Sequence, residues 1–161
     1  MVHLEPHWIV GFIDGEGCFA VSVNRHKDMK FGFQIQPEFT VTQHKRDIHR
    51  LYGLKSFFQC GIVAVNHGSI YHWRVRDRKH FLKTILIFFE KHPLKGKRQI
   101  EFLLFREIIH LMDKNVHLTE EGFNLVVAKA KALRFKTEED SVHITTETQT
   151  LEQNELKMKK D

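Results

Sequence analysis

One short window constrains this chain more than any other. Residues 9–17 read Ile9-Val10-Gly11-Phe12-Ile13-Asp14-Gly15-Glu16-Gly17. Pro6, just upstream, suits the first turn of a helix, where its missing N–H costs nothing. Trp8, Ile9, Val10, Phe12 and Ile13 make the helix expected over 7–14 apolar on nearly every side. A helix greasy all round is expected to be buried all round, and this one is expected to end at Gly15 and Gly17. Gly11 and Gly15 are four apart and so share one face. Each interior glycine costs about 1 kcal/mol of helix propensity, so the pair implies close approach of another backbone, or room for a bulky neighbour such as Trp8. Asp14 and Glu16 fall at the helix C-terminus, where the dipole disfavours negative charge. Acids so placed bind a hard cation, take part in catalysis, or form an ordinary Asp-Gly turn.

The remaining pattern predicts an α+β domain. Period-2 alternation marks strands over 18–26, 31–42, 60–66 and 69–76, with turns at 28–30 and at His67-Gly68. Pro37, inside the second strand, suggests an edge position or a bulge. Helices are expected over 45–58 with Ile48, Leu51 and Tyr52 inward, and over 79–91, stopped by Pro93. Another is expected over 98–112, with Ile100, Leu103, Leu104, Ile108 and Leu111 as its apolar stripe. Thr119 is the expected N-cap of a last helix reaching 133, with Glu120 and Glu121 well placed against its dipole. The order is α-β-β-α-β-β-α-α-α. Two hairpin pairs give a four-stranded antiparallel sheet with helices on one face. The domain spans 5–136, and 137–161 is a polar, acidic C-terminal tail.

Charge divides the same way. Residues 1–136 carry 22 of the 25 Lys and Arg and 13 of the 20 acids, a net of +9, whereas 137–161 carries a net of −4. A basic body suggests a polyanionic partner, against the plainer reading of a solvated basic surface. Two cysteines, Cys18 and Cys60, exclude a disulfide-rich scaffold or a four-cysteine zinc site within one chain. No apolar run reaches the roughly 18 residues of a membrane span, and the N-terminus has no leader character. Work in the compartment of synthesis, a reducing one, is the expectation; no membrane partner is expected. The 12 histidines do not form a zinc motif: His3 and His7 have four-residue spacing, but Glu5 is misplaced and Pro6 intervenes.

The solvent side of the predicted strands carries Ser22, Asn24 and His26; Gln34, Gln36, Glu38 and Thr40; Asn66; and His72, Arg74 and Arg76. Arg, Asn, Gln and Glu can read base edges, and a β-ribbon fits the major groove. One-sided sheets always have a polar face, but lysine is absent from this one and amides dominate it.

The 9–17 window resembles the LAGLIDADG signature of homing endonucleases. Gly11, Ile13, Asp14 and Gly17 are identities; Ile9, Val10 and Phe12 are apolar replacements; Gly15 replaces Ala and Glu16 the last Asp. The αββαββα order resembles that family's core over roughly residues 5–136. One motif implies the single-motif type: a homodimer whose motif helices pack at a two-fold axis through Trp8, Gly11, Phe12 and Gly15. The resemblance implies sequence-specific hydrolysis of both strands of a long pseudo-palindromic double-stranded DNA site in intron homing, leaving short 3′ overhangs. It implies Mg²⁺, or Mn²⁺, held by Glu16 and the Gly15 carbonyl, with Gln43 positioning solvent and Lys95 or Lys97 as the active-site lysine. Asp14 is expected to shape the helix end or to pack near the interface instead of binding metal. Two departures stand out: Glu for Asp at 16 adds one methylene of reach, and Asp47 stands where some relatives carry a basic residue, with Arg46 a doubtful substitute. The alternative is a binding protein of the same fold, an RNA maturase or a non-cleaving DNA-binding regulator. Single-motif members suggest organelles or bacteria as the setting, and the chain does not choose between them.

Overall fold

A computed structural model of the chain describes residues 2–135. Helix α1 (Pro6–Glu16) passes straight into β1 (Gly17–Arg25), which pairs with β2 (Phe33–His44). A 3-10 turn (Lys45–Asp47) leads into α2 (Ile48–Phe58), followed by β3 (Ile62–His67) and β4 (Ile70–Val75). One helical segment, α3, then runs as α-helix over Arg78–His80, as π-helix over Phe81–Ile85 and as α-helix over Leu86–Lys91. Helix α4 (Arg98–Asp113) follows, and residues 120–135 form α5. The sheet is antiparallel throughout, in the order β1-β2-β4-β3. The expected element order and fold class hold. The tail expected over 137–161 lies outside the described residues.

The alternation read in the sequence sorts the sheet into two faces. Phe19, Phe39, Val41, Trp73 and Val75 are buried against the helices. Phe19 and Phe39 stack across β1 and β2 with ring centroids 4.4 Å apart, and Phe19 also meets Phe89, Phe102 and Phe105 at 5.8, 5.6 and 5.3 Å. Trp73 donates its indole N–H to the Cys60 carbonyl at 2.9 Å, so this buried ring leaves no polar atom unpaired. A second cluster of Ile108, Met112, Val126 and Ala130 carries α5 against Val21, Val23 and Ile35. Thr119 caps α5 as expected, its Oγ1 accepting the Gly122 N–H at 3.1 Å. Pro37 sits opposite Val21 in the part of β2 that extends beyond its pairing with β4, a local edge where its missing N–H breaks no ladder.

Four expectations need correction. Helix α1 continues through Gly15 to Glu16, and it is not buried all round: Ile9, Val10 and Ile13 face the core while Trp8 is 41% exposed. Tyr52 points outward and is 53% exposed; Leu51, Leu54 and Phe58 are the inward residues of α2. Helix α4 is rotated from the expected stripe, burying Glu101, Phe102, Phe105, Ile108, Ile109 and Met112 and leaving Ile100 50% exposed. The helix is apolar on two sides, and the stripe containing Phe102 and Phe105 reaches the aromatic core. Finally, His72, expected on the solvent side, is buried.

Replacing Phe19 by Ala removes the ring that touches four others, and is expected to cost about 3–5 kcal/mol of stability. Urea denaturation of the two proteins measures it; a shift in midpoint worth less than about 1 kcal/mol overturns this account of the core.

Candidate active site and nucleic-acid face

The junction of α1 and β1 builds the candidate catalytic end. Gly17 follows the last helical residue with no loop between, and its N–H bonds back to the Ile13 carbonyl. A Cβ at Gly17 would sit 2.6 Å from Ile13 Cγ2, so only glycine makes this turn. Gly17 is opposite Val41 in the sheet, which brings Glu16 and Gln43 to the same end of the β1–β2 pair. Glu16 is exposed, and its carboxylate makes no ion pair or hydrogen bond among the described residues. Asp14 is engaged instead, accepting the backbone N–H groups of Lys95 and Gly96 at 2.7 and 3.1 Å. That contact brings the segment bearing Lys95 and Lys97, both exposed, to the end of α1.

Gln43 has a partner that sequence reasoning missed. Arg50, on the first turns of α2, donates Nη1–H to Gln43 Oε1 at 3.3 Å, while Gln43 Nε2 donates to the Thr42 carbonyl at 2.8 Å. Arg50 also meets Asp47 at 3.4 Å, and Asp47 meets Arg46 at 3.3 Å. The acid at position 47 therefore organises two guanidiniums, and Arg50 presents a cation to Gln43. The seven-residue separation across a strand end and a 3-10 turn gave no periodic signal for it.

A divalent cation fits the donor set in part. Glu16 offers a hard carboxylate, and the Gly15 carbonyl is one of the helix-terminal carbonyls without an intrahelical donor. A cation there also reverses the unfavourable placement of Glu16 against the helix dipole. Among the described residues no group of three His, Cys, Asp or Glu could hold a metal, so one chain's side chains do not complete a site.

The outer face of α1 is open. Gly11 and Gly15 are exposed, and among the described residues nothing lies within 4 Å of the position a Cβ would take on either. Trp8 and half-buried Phe12 flank this notch with rings 4.7 Å apart. The expected contact face is thus present as a surface.

The sheet face away from the helices carries most of the expected polar set. Ser22 is opposite Gln36 and Asn24 opposite Gln34, with Asn24 Nδ2 donating to Ser22 Oγ at 3.3 Å. Thr40 is opposite Arg74. Glu38 receives Arg76 at 2.6 Å and Arg74 at 3.9 Å. His26 lies just past β1 in the hairpin turn, and Asn66 is exposed at a β-bulge in the edge strand β3. Sequence reasoning passed over Ile62, which is opposite Arg74 on this face and 67% exposed.

His72 shares the face but is only 7% exposed, and its Nε2 has no hydrogen-bond partner among the described residues. It sits on an inner strand between Thr42 and Ala64, where neighbours on both sides cover the ring. Burial holds its pKa below the ordinary histidine value, and Arg74 and Arg76 push the same way against Glu38. Burial likewise raises Cys60 to about 11, keeping it a thiol at neutral pH.

These features define a helix-strand end with one unengaged acid, an open glycine-notched face and an amide-rich sheet surface. Residues 9–109 match the family model described as LAGLIDADG endonuclease, and the chain belongs to that family. It is 35% identical over 133 residues to a probable intron-encoded endonuclease 3 of Neurospora crassa, covering 78% of this chain and 24% of that protein. It is 26% identical to the DNA endonuclease I-CeuI of Chlamydomonas moewusii, covering 68% of this chain and 53% of that one. The chain spans 24, 26 and 30% of the length of three curated fungal relatives it matches. Among solved structures, the homing endonuclease I-TnaI superposes with TM-score 0.77 at 46% identity, covering 86% of this chain and 99% of that one. The I-SmaMI LAGLIDADG homing endonuclease bound to cleaved DNA gives TM-score 0.74 at 34% identity, covering 81% and 42%.

Because its native pKa is lowered, His72 contributes stability that is fully present above about pH 6.5 and is lost as pH falls through its native value. His72→Gln is expected to flatten the fall in urea midpoint below that pH; superimposable pH–stability curves for the two proteins overturn the assignment.

Proposed function

We propose that this chain is a homodimeric, sequence-specific DNA endonuclease of intron homing, cutting both strands of a long pseudo-palindromic site and leaving short 3′ overhangs. The Glu16 carboxylate, exposed and without a partner among the described residues at the end of the open Gly11/Gly15 helix face, carries this reading. Two copies of α1 meeting at that notch bring two Glu16 carboxylates together at a two-fold axis, matching a two-fold symmetric target. The I-SmaMI structures, one with cleaved DNA and one with uncleaved DNA in the presence of calcium ions, support DNA and a divalent ion as the ligands.

Glu16 and the Gly15 carbonyl of each protomer are the residues that would hold Mg²⁺ or Mn²⁺, with phosphate oxygens supplying further ligands. The ion, when bound, supplies acidified water and charge stabilisation for phosphodiester hydrolysis. Gln43, its amide orientation set by Arg50, orients water near the phosphate. Lys95 or Lys97 offsets the charge that develops on the phosphate oxygens. The sheet face docks in the major groove, where Gln34, Gln36, Arg74 and Arg76 read base edges and Ile62 meets a thymine methyl. Dimerisation doubles the +9 of residues 1–136, so affinity falls steeply with salt.

Selection from a randomised duplex library, with Mg²⁺ or with EDTA, tests the activity. The expected result is metal-dependent cleavage of a pseudo-palindrome by the native protein. Glu16→Gln is expected to bind the selected site and not cut it. Binding without cleavage under every condition would replace the nuclease reading with that of a maturase or regulator.

Gly11→Val fills the notch and is expected to weaken dimerisation by about 5- to 160-fold in Kd, since a single misfit at a close helix contact costs about 1–3 kcal/mol. Sedimentation velocity reads it; an unchanged dimer shows that the copies meet elsewhere.

A further inference from the structure

Asp14 stands at the unfavourable end of its own helix and the favourable end of another. Its Oδ2 accepts the Lys95 N–H at 2.7 Å and its Oδ1 accepts the Gly96 N–H at 3.1 Å, across 81 and 82 residues of sequence. Both amides precede α4, whose first turn closes with Gln99 N–H on the Gly96 carbonyl at 3.0 Å and Ile100 N–H on the Lys97 carbonyl at 2.9 Å. The carboxylate thus lies before a helix N-terminus, where the dipole favours it, and this offsets its place at the C-terminus of α1.

The segment that Asp14 grips is anchored from its other sides as well. Leu94 is buried, and its N–H donates to Gln99 Oε1 at 3.2 Å. Behind it, Arg98 pairs with Glu101 at 2.6 Å, and Glu101 is almost fully buried. These contacts hold the backbone on both sides of Lys95 and Lys97. A buried ion pair of this kind is weak evidence for stability but serves to select one local conformation. Both Asp14 oxygens are committed to backbone amides, which leaves Glu16 as the carboxylate available at this helix end.

We propose that Asp14 is a positioning residue: its carboxylate locks the 95–97 segment to the helix end that bears Glu16, so that a lysine ammonium is delivered at a set distance from the metal-binding carboxylate. This rests on the endonuclease reading above. The lysine stem is flexible, so pinning its backbone removes much of the freedom that would otherwise blur its placement. Glu16 stays a ligand and Asp14 acts through the loop.

The test uses the full chain and Asp14→Asn, which keeps the volume but sets an NH2 group against one of the two N–H donors. Hydrogen exchange of the purified protein is the first arm. The Lys95 and Gly96 amides are expected to exchange at least about tenfold faster in the variant, with β2 and β4 unchanged. Equal exchange at 95 and 96 overturns the latch. In the second arm, single-turnover cleavage is expected to fall about 10- to 100-fold while DNA affinity holds within about twofold. Combining Asp14→Asn with Lys95→Arg and with Lys97→Arg separately is expected to give a non-additive loss for one lysine, which identifies the one that is positioned. Additive losses with both, or an unchanged rate, overturn the positioning role. Failure of the native protein to cut any duplex defeats the endonuclease reading and the positioning role with it, while the exchange arm still judges the contact itself.

Discussion

The whole arrangement turns on the absence of a loop between α1 and β1. A helix that becomes a strand in one step must satisfy its last amide at once, and the Gly17 N–H does so on the Ile13 carbonyl. It also needs a residue with no Cβ, because Ile13 fills that space. With the step fixed, Phe19 falls into the aromatic core two residues later, and Val41 is drawn opposite Gly17. The same register carries Gln43 to the end of α1. A longer connection would let Glu16 drift relative to the sheet, and the acid, the amide and the polar strand face would no longer share one frame.

Among the described residues two surfaces have no intramolecular partner, and they differ in kind. The notch on α1 is apolar and backbone-rich, suited to another helix. The sheet face is polar and already organised, with Glu38 between Arg74 and Arg76 and amides paired across β1 and β2. An apolar notch and a polar face thus lie on different parts of one small domain. Membership in the LAGLIDADG endonuclease family fits that division.

Much of the fold was legible because strands and caps are local. Alternation gave all four strands to within two residues at either end, and Thr119 announced its helix. What failed was phase. A helix apolar on two sides does not tell which side is inward, so Ile100 and Leu103 were preferred to Phe102 and Phe105, and Glu101 was passed over because its buried partner Arg98 could not be foreseen. For α1, hydrophobicity alone does not distinguish a core contact from a surface built for a second molecule. At the candidate site, resemblance singles out Glu16 and Gln43 as expected site residues. Arg50 and the grip of Asp14 were not legible, since both depend on contacts between elements. His72 was read as exposed because period 2 assigns a face but not how deeply an inner strand buries it.

Glu38 has a consequence for how such a protein changes over time. One carboxylate hydrogen-bonds Arg76 at 2.6 Å and lies 3.9 Å from Arg74, so part of their conformational entropy is surrendered before any duplex arrives. Under the DNA-reading interpretation, a substitution at 38 releases both guanidiniums together. Target preference would then shift at neighbouring base positions in a single mutational step, and a lineage following a drifting host sequence would move by linked jumps instead of one base at a time.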